Sequence, residues 1–185
     1  MILVKKTWNN VELLEFSKKA HNHLTGYMVS KPLADIGESP DMTLEDGEFA
    51  TIGHIRYVDY APIPLLEKFS NGTRAANFYY TPEAGFLGWH TNCPLDSSYR
   101  NYSLLITYSE TGESAFRYQI QDTNEVVDCQ DHKGLTIRLI DFGVTPNPLW
   151  HCVPRSDTVR VTYGVRVDAE RVDEVIDYIN KLGET

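Results

Sequence analysis

Two histidines and an asparagine are the residues whose types and spacing best suit a metal ion. His90 and Asn92 are separated by one residue in a stretch with strand character. Residues i and i+2 of a strand point to the same face, so their side chains can converge on one point. His151 follows far along the chain, after the turn-rich stretch 145–148. Two histidines and an oxygen donor approximate the 2-His-1-carboxylate arrangement, which leaves metal positions open for O₂ and a cosubstrate.

A second group of candidate residues lies on the segment 160–167. Arg160, Thr162 and Arg166 occupy alternate positions and therefore share one face of a strand, while Val and Tyr residues fill the other. A buried arginine requires an anionic partner, and its planar fork matches a carboxylate bidentately. For either arginine alone, that partner is a carboxylate of the protein or of a ligand. For both, beside a metal site, we favour a dicarboxylate ligand.

These residues must be held by β-strands. Over residues 75–167, short runs rich in Tyr, Phe, Val, Ile and Thr alternate with turn residues, which is typical of an all-β sandwich or barrel. The predicted strands are 77–80, 85–91, 102–108, 114–120, 135–141 and 159–167.

Helices are predicted on either side of this core. A helix with an apolar face is predicted over residues 10–24, and Asn9 or Asn10 can cap its start. A short helix is predicted at 63–69, and 168–182 forms an amphipathic pattern. We therefore expect one mainly β domain over residues 1–185, with flanking helices.

Composition indicates an ordinary globular protein with an acidic surface. The net charge of −9 and pI near 5.1 disfavour a nucleic-acid partner, because binding to the phosphate backbone needs clustered Lys and Arg. Cys93, Cys129 and Cys152 lack the spacing of a disulfide or zinc framework, so we expect free thiols. The sequence shows neither a secretory signal nor a membrane span, and a cytoplasmic location is the resulting expectation.

The order H-x-[acidic], His, R-x-[S/T] on short strands resembles the Fe(II)/2-oxoglutarate dioxygenase superfamily. Asn77-Phe78-Tyr79 and the arginine pair resemble AlkB-type demethylases, whereas residues 100–108, followed by Gly112 and Phe116, are similar to prolyl hydroxylases. The resemblance covers about 75–167, roughly half the chain. It implies a double-stranded β-helix, a jelly-roll or cupin-like barrel.

The resemblance also implies roles for individual residues. His90 and His151 would bind Fe(II), with Asn92 at the position of the third ligand. Arg160 would bind the distal carboxylate of 2-oxoglutarate. The resemblance places the remaining residues around the cosubstrate, with Thr162 and Tyr79 beside Arg160, and Asn77 and Arg166 near the metal-chelating end. Trp89 and Trp150, each next to a histidine, are expected to pack in the barrel.

Asn92 departs from the family pattern, which has Asp or Glu there. In one hypothesis Asn92 binds iron through its carbonyl oxygen, or two histidines and water suffice. In another, Asp96 provides the carboxylate. In a third, the protein no longer oxidises anything and acts as a binding module. In a fourth, chloride occupies the vacant position, as in a halogenase; Asn92 disfavours this because it fills space that a smaller residue would leave empty.

The implied activity is hydroxylation of a C–H bond, coupled to conversion of 2-oxoglutarate to succinate and CO₂. Fe(II), 2-oxoglutarate and ascorbate are the implied cofactors. A protein side chain or small metabolite is the substrate favoured by the acidic charge, over an alkylated base. The alternatives are an AlkB-like nucleic-acid dealkylase and a non-catalytic protein that binds a carboxylated ligand or a partner protein. A cupin-type metal enzyme that does not use 2-oxoglutarate would leave both arginines unexplained.

Overall fold

The protein is described from a computed structural model, which covers residues 1–28, 31–32, 51–53, 55–58, 63–92, 99–144 and 147–182. Antiparallel β-structure dominates these residues, as the sequence predicts. The strands are β1 (Ile2–Trp8), β2 (Leu24–Met28), β3 (Lys31–Pro32), β4 (Thr51–Gly53), β5 (Ile55–Val58), β6 (Arg74–Tyr80), β7 (Phe86–His90), β8 (Tyr102–Ser109), β9 (Ala115–Ile120), β10 (Glu125–Gln130), β11 (Gly134–Asp141), β12 (Gly143–Val144), β13 (Asn147–Pro148), β14 (His151–Val153) and β15 (Arg160–Val167).

The α-helices are α1 (Val11–Lys18), α2 (Pro64–Phe69) and α3 (Val172–Lys181), with 3-10 turns at Ala20–His23 and Ala169–Arg171. Asn10 caps α1 as predicted, because its Oδ1 accepts a hydrogen bond from the Leu13 amide at 2.9 Å. Across the described residues, each helix is too short or too polar to cross a bilayer.

Two large sheets contain most of the strands. The larger has the order β1-β11-β8-β15-β6-β5-β2, and the smaller has the order β10-β9-β14-β7-β4-β3. From β6 to β11 and again at β14 and β15, the chain passes back and forth between the two sheets. The described strands form separate sheets and do not close a barrel, so the double-stranded β-helix stays a prediction.

Strand β15 shows why one face of the larger sheet is apolar. Val161, Tyr163, Val165 and Val167 are all buried in a core that includes Leu13 of α1, Phe69 of α2 and Val175 and Ile179 of α3. The predicted alternation along β15 is therefore confirmed, with its apolar face under the helices. Its other face points towards the smaller sheet, where a second apolar cluster lies. That cluster contains Leu105, Phe116, Ile140, Phe142 and Leu149.

All six predicted strands are present, with ends shifted by a few residues. The sequence-based prediction missed β1, β2, β5 and β10, together with the shortest strands. Strand β10 is largely exposed, and β1 lies at an edge of the larger sheet. Cys129 and Cys152 are free thiols as predicted, whereas Cys93 lies outside the described residues.

Candidate active site

The two histidines are cross-strand neighbours on the smaller sheet. His90 ends β7, His151 begins β14, and the two residues are directly paired in this antiparallel ladder. Directly paired residues of antiparallel strands share a face, so the imidazoles meet with ring centroids 4.1 Å apart. Both side chains are buried. The sequence-based pairing of His90 with His151 therefore has a structural counterpart.

An irregularity in β7 sets the direction of the His90 side chain. Leu87 pairs with Val153 and His90 pairs with His151, so β7 has one residue more than β14 between the two pairs. Such a β-bulge changes which side chains share a face. As a result, both Leu87 and His90 line the same cavity.

Backbone carbonyls fix the orientation of both imidazoles. His90 Nδ1 lies 2.7 Å from the Gly88 carbonyl oxygen, and His151 Nδ1 lies 2.9 Å from that of Leu149. A carbonyl can only accept, so each Nδ1 carries the proton and each Nε2 presents its lone pair. This arrangement is typical of metal-binding histidines, whose second nitrogen is held by an outer hydrogen bond.

Burial keeps the two histidines neutral. It lowers the pKa of His90 to about 4, and the positive charge of Arg166 adds to that effect. Burial also lowers the pKa of His151 well below its usual value, with a further contribution from His90. At neutral pH neither imidazole is protonated on Nε2, as metal coordination requires.

Asn92 lies beside this pair. Its Nδ2 is 3.1 Å from His151 Nε2, so the amide donates to the lone pair that a metal ion would use. Asn101 Nδ2 donates to the Asn92 backbone carbonyl at 2.6 Å, and Arg166 Nη1 donates to Asn101 Oδ1 at 2.8 Å. Rotation of the Asn92 amide about its Cβ–Cγ bond would direct Oδ1 towards the histidines instead. Asp96, the alternative carboxylate ligand, lies outside the described residues.

A cavity of about 180 Å³ contains the histidine pair. It is smaller than pockets for drug-sized ligands, which suits a compact metabolite. Polar groups from both sheets line it, and the wall between them is apolar. The polar lining residues are His90, Asn92, Ser103, His151, Arg160 and Thr162, and the apolar ones include Phe78, Leu87, Leu105, Phe116 and Val153.

Arg160 provides the cationic group of this cavity. Its Nη1 donates to Thr162 Oγ1 at 2.7 Å, its guanidinium carbon lies 4.9 Å from the centre of the Tyr80 ring, and only 2% of the residue is exposed. Its Nε donates to Asp131 Oδ2 at 3.0 Å. Arg160 therefore has a carboxylate partner within the protein, one of the two alternatives that the sequence left open.

Sequence reasoning missed Asp131 and the residue that shares it, Arg138. Arg138 Nη2 lies 2.6 Å from Asp131 Oδ1, and both side chains are almost fully buried. The available signal was an arginine inside the apolar run 135–140, which predicts a buried strand. Nothing in the sequence around Asp131 distinguishes it from a turn residue.

Asn77 and Tyr79 are not brought to the cavity, contrary to the predicted placement. Tyr79 pairs with Val161 on the face that packs under the helices, and it is buried in that core. Asn77 pairs with Tyr163 on the same face, and its Nδ2 donates to the Val58 carbonyl. The strand register instead places Phe78 and Tyr80 beside Thr162 and Arg160.

Trp89 and Trp150 are packing residues, as expected, whereas the barrel in which they were placed stays a prediction. They form a buried cluster with Cys152, and none of the three lines the cavity. Each histidine is therefore anchored by a large neighbouring side chain that packs elsewhere.

Arg166 lies at the histidine end of the site. Its Nη1 also donates to Ser103 Oγ at 2.8 Å, and Ser103 lines the cavity. Its charge contributes to the lowered pKa of both histidines. Arg166 therefore lies near the histidines, and its predicted place at the metal-chelating end of the cosubstrate stays a prediction.

Comparisons with protein-family models, with curated proteins and with solved structures gave no match for this chain. In the described part of the chain, no group of three or more His, Cys, Asp or Glu residues is placed so that it could hold a metal ion. The histidine pair with its amide neighbour and the Arg160 site must therefore be interpreted from their own chemistry.

Proposed function

We propose that this protein is an Fe(II)- and 2-oxoglutarate-dependent dioxygenase that hydroxylates a peptide side chain or a small metabolite and forms succinate and CO₂. One observation carries the proposal. One cavity is lined by two neutral imidazoles that carry their protons on Nδ1 and, from the opposite sheet, by a buried guanidinium next to a hydroxyl. Cosubstrate binding in this family needs both kinds of group in one cavity.

The path of the chain is consistent with a double-stranded β-helix. The strands from β6 to β15 distribute between two antiparallel sheets, with the histidines on the smaller sheet and Arg160 on the larger. Two facing sheets that carry the metal ligands and the cosubstrate arginine on opposite sides are what the proposed family requires. The arrangement of the strands therefore supports the proposal without depending on any single residue.

The donor set fits a divalent iron ion. His90 and His151 would hold it through Nε2, and Asn92 would add its carbonyl oxygen or leave the place to water. When bound, the iron supplies activation of O₂ and the oxidising power for C–H hydroxylation. The two backbone carbonyls keep the imidazoles in the required tautomer, and the apolar wall excludes water.

The cationic group of the cavity fits a carboxylate. Arg160 presents Nη1 beside the Thr162 hydroxyl, and two donors in this arrangement can bind one carboxylate group. Tyr80, rather than Tyr79, provides the aromatic neighbour of this group. Arg160 and Thr162 would therefore bind the distal carboxylate of 2-oxoglutarate and orient its other end towards the histidines.

The test is succinate formation from 2-oxoglutarate by protein supplied with Fe(II) and ascorbate. We expect wild-type protein to form succinate, His151→Ala to form none, and His132→Ala, an exposed histidine away from the cavity, to match wild type. Binding of 2-oxoglutarate by calorimetry, with Mn(II) in place of iron, separates cosubstrate binding from turnover. Failure of wild-type protein both to bind 2-oxoglutarate and to form succinate would refute the proposal.

One observation favours a second candidate, a non-catalytic protein that binds a carboxylated ligand. The Asn92 amide donates to His151 Nε2, so the structure contains a partner for the lone pair that iron would need. Such a protein would bind a dicarboxylate through Arg160 and Thr162 in the absence of metal. Dicarboxylate binding that is unaffected by Mn(II), combined with absence of turnover, would favour this candidate.

A further inference from the structure

A single buried carboxylate lies between two buried guanidinium groups. Asp131 Oδ2 is 3.0 Å from Arg160 Nε, and Asp131 Oδ1 is 2.6 Å from Arg138 Nη2. The three side chains are between 0% and 2% exposed. Ser114 Oγ donates to Asp131 Oδ2 at 2.6 Å, which fixes the carboxylate further.

This cluster has a surplus of positive charge. Two guanidiniums carry two positive charges at any physiological pH, and Asp131 supplies one negative charge. Asp131 is ionised in this setting, because the charges of Arg160 and Arg138 outweigh the effect of burial and lower its pKa. Buried charges without compensation are costly, so the cluster as a whole favours a further anion.

Arg138 is the least satisfied member. Its Nη2 donates to the carbonyl oxygens of Cys129 and Gln130 at 3.3 and 3.2 Å. Its Nε and Nη1 are buried, and the described residues provide no hydrogen-bond acceptor for either. Arg138 does not line the cavity, whereas Arg160 does. A ligand in the cavity would therefore contact Arg160 but not Arg138.

We propose that Arg138 is a positioning residue that determines the affinity of the cavity for dicarboxylates. Asp131 alone would neutralise Arg160, but Arg138 shares that carboxylate and so leaves Arg160 with net positive potential on its cavity side. Asp131 at the same time holds the Nε edge of Arg160, so that Nη1 stays beside Thr162. The inference rests on the proposed function, because it concerns the same carboxylate-binding site.

The test varies the net charge of the cluster and measures binding of glutarate. Glutarate has two carboxylates and no 2-oxo group, so its binding does not depend on a metal. We expect Arg138→Met, with a net charge of zero, to weaken glutarate binding on the order of tenfold, as loss of a unit charge within about 10 Å implies. The double variant Asp131→Asn/Arg138→Met restores the net charge of one, and we expect it to bind within about threefold of wild type. Arg171→Met, which removes a half-buried arginine from the 3-10 turn before α3, is the control.

The outcomes separate a charge effect from a packing effect. Wild-type affinity in Arg138→Met, or a double variant that stays as weak as the single variant, would overturn the inference. In the double variant Arg160 keeps its charge but loses its carboxylate partner. A folded double variant that binds glutarate much more weakly than wild type therefore overturns the inference even if Arg138→Met does not fold. Glutarate binding that follows net charge in a protein that forms no succinate would support the inference and favour the non-catalytic binding protein over the dioxygenase. Absence of glutarate binding by wild-type protein would refute the inference directly, whatever the turnover.

Discussion

Asp131 offers a sharp test of how much a buried charge cluster contributes to stability. We expect Asp131→Asn to destabilise the protein strongly, because the variant keeps the side-chain shape but leaves Arg138 and Arg160 without their shared carboxylate. Asp128 is a matched control three residues earlier. It also binds an arginine, with Arg117 Nε at 2.6 Å from its Oδ1, but its side chain is 48% exposed.

The difference in exposure sets the expected magnitudes. Removal of one partner from a buried ion pair costs about 3–5 kcal/mol, because the remaining charge is left without compensation. An exposed pair contributes about 0–1 kcal/mol, because water and salt screen it. We therefore expect a loss of about 3 kcal/mol or more for Asp131→Asn and less than about 1 kcal/mol for Asp128→Asn.

Urea unfolding followed by circular dichroism measures both changes in the free energy of unfolding. The pH dependence adds a second readout. The pKa of Asp131 is lowered in the folded state, so its stabilisation is fully present above the unfolded pKa of about 3.9 and is lost only as pH falls through the folded value. The difference in the free energy of unfolding between wild type and Asp131→Asn should therefore stay constant between pH 5 and 8. Equal losses in the two variants at pH 7 would show that burial of the Asp131 cluster does not carry the stability assigned to it.

Three further predictions concern the cavity. In metal-free protein, the free energy of unfolding should fall by up to about 3 kcal/mol as pH drops from about 6.5 to 4, because the His90 side chain takes up its proton first in the unfolded chain. Urea titrations with a chelator present should show that the free energy of unfolding depends less steeply on pH in His90→Gln. An unchanged pH dependence would contradict the lowered pKa of His90. Asn92→Asp should tighten anaerobic Fe(II) binding by about tenfold or more, since a full negative charge is added at the histidine pair; no change, together with loss of binding in Asp96→Ala, would identify Asp96 as the ligand. Arg160→Ala should weaken 2-oxoglutarate binding by about 2–5 kcal/mol, and Arg160→Lys should also bind poorly because a point charge cannot replace the fork; calorimetric affinities equal to wild type in both would make Arg160 purely structural.

Local patterns in the sequence predicted the central strands well. β15 is an example, since its alternation of Val and Tyr with Arg and Thr reports two different environments on its two faces. β10 has no such contrast, because most of its residues are exposed and no buried face produces a pattern. β1 shows little burial contrast along its length for a related reason, as its residues are mostly half-buried.

The candidate site was predictable where residue type alone carries the chemistry. His90, His151, Arg160 and Thr162 line one cavity. Asn77 and Tyr79 were misplaced because the register between β6 and β15 determines which side chains of β6 point to the cavity. A shift of one residue in that register exchanges the two faces of the strand. The ion pairs of Asp131 depend on where a turn beyond β10 returns the chain, and no local pattern specifies that position.

The place of β15 in the larger sheet has a consequence for biosynthesis. This strand lies between β8 and β6, both of which leave the ribosome before it does. Until β15 arrives, each of these two strands has an edge whose amide and carbonyl groups await their partner, and such edges can pair with another nascent chain. Arg160 and Thr162 arrive on that same strand. The nascent chain therefore passes through a stage in which the histidine of β7 has been made, but the half of the cavity proposed to bind a carboxylate does not yet exist.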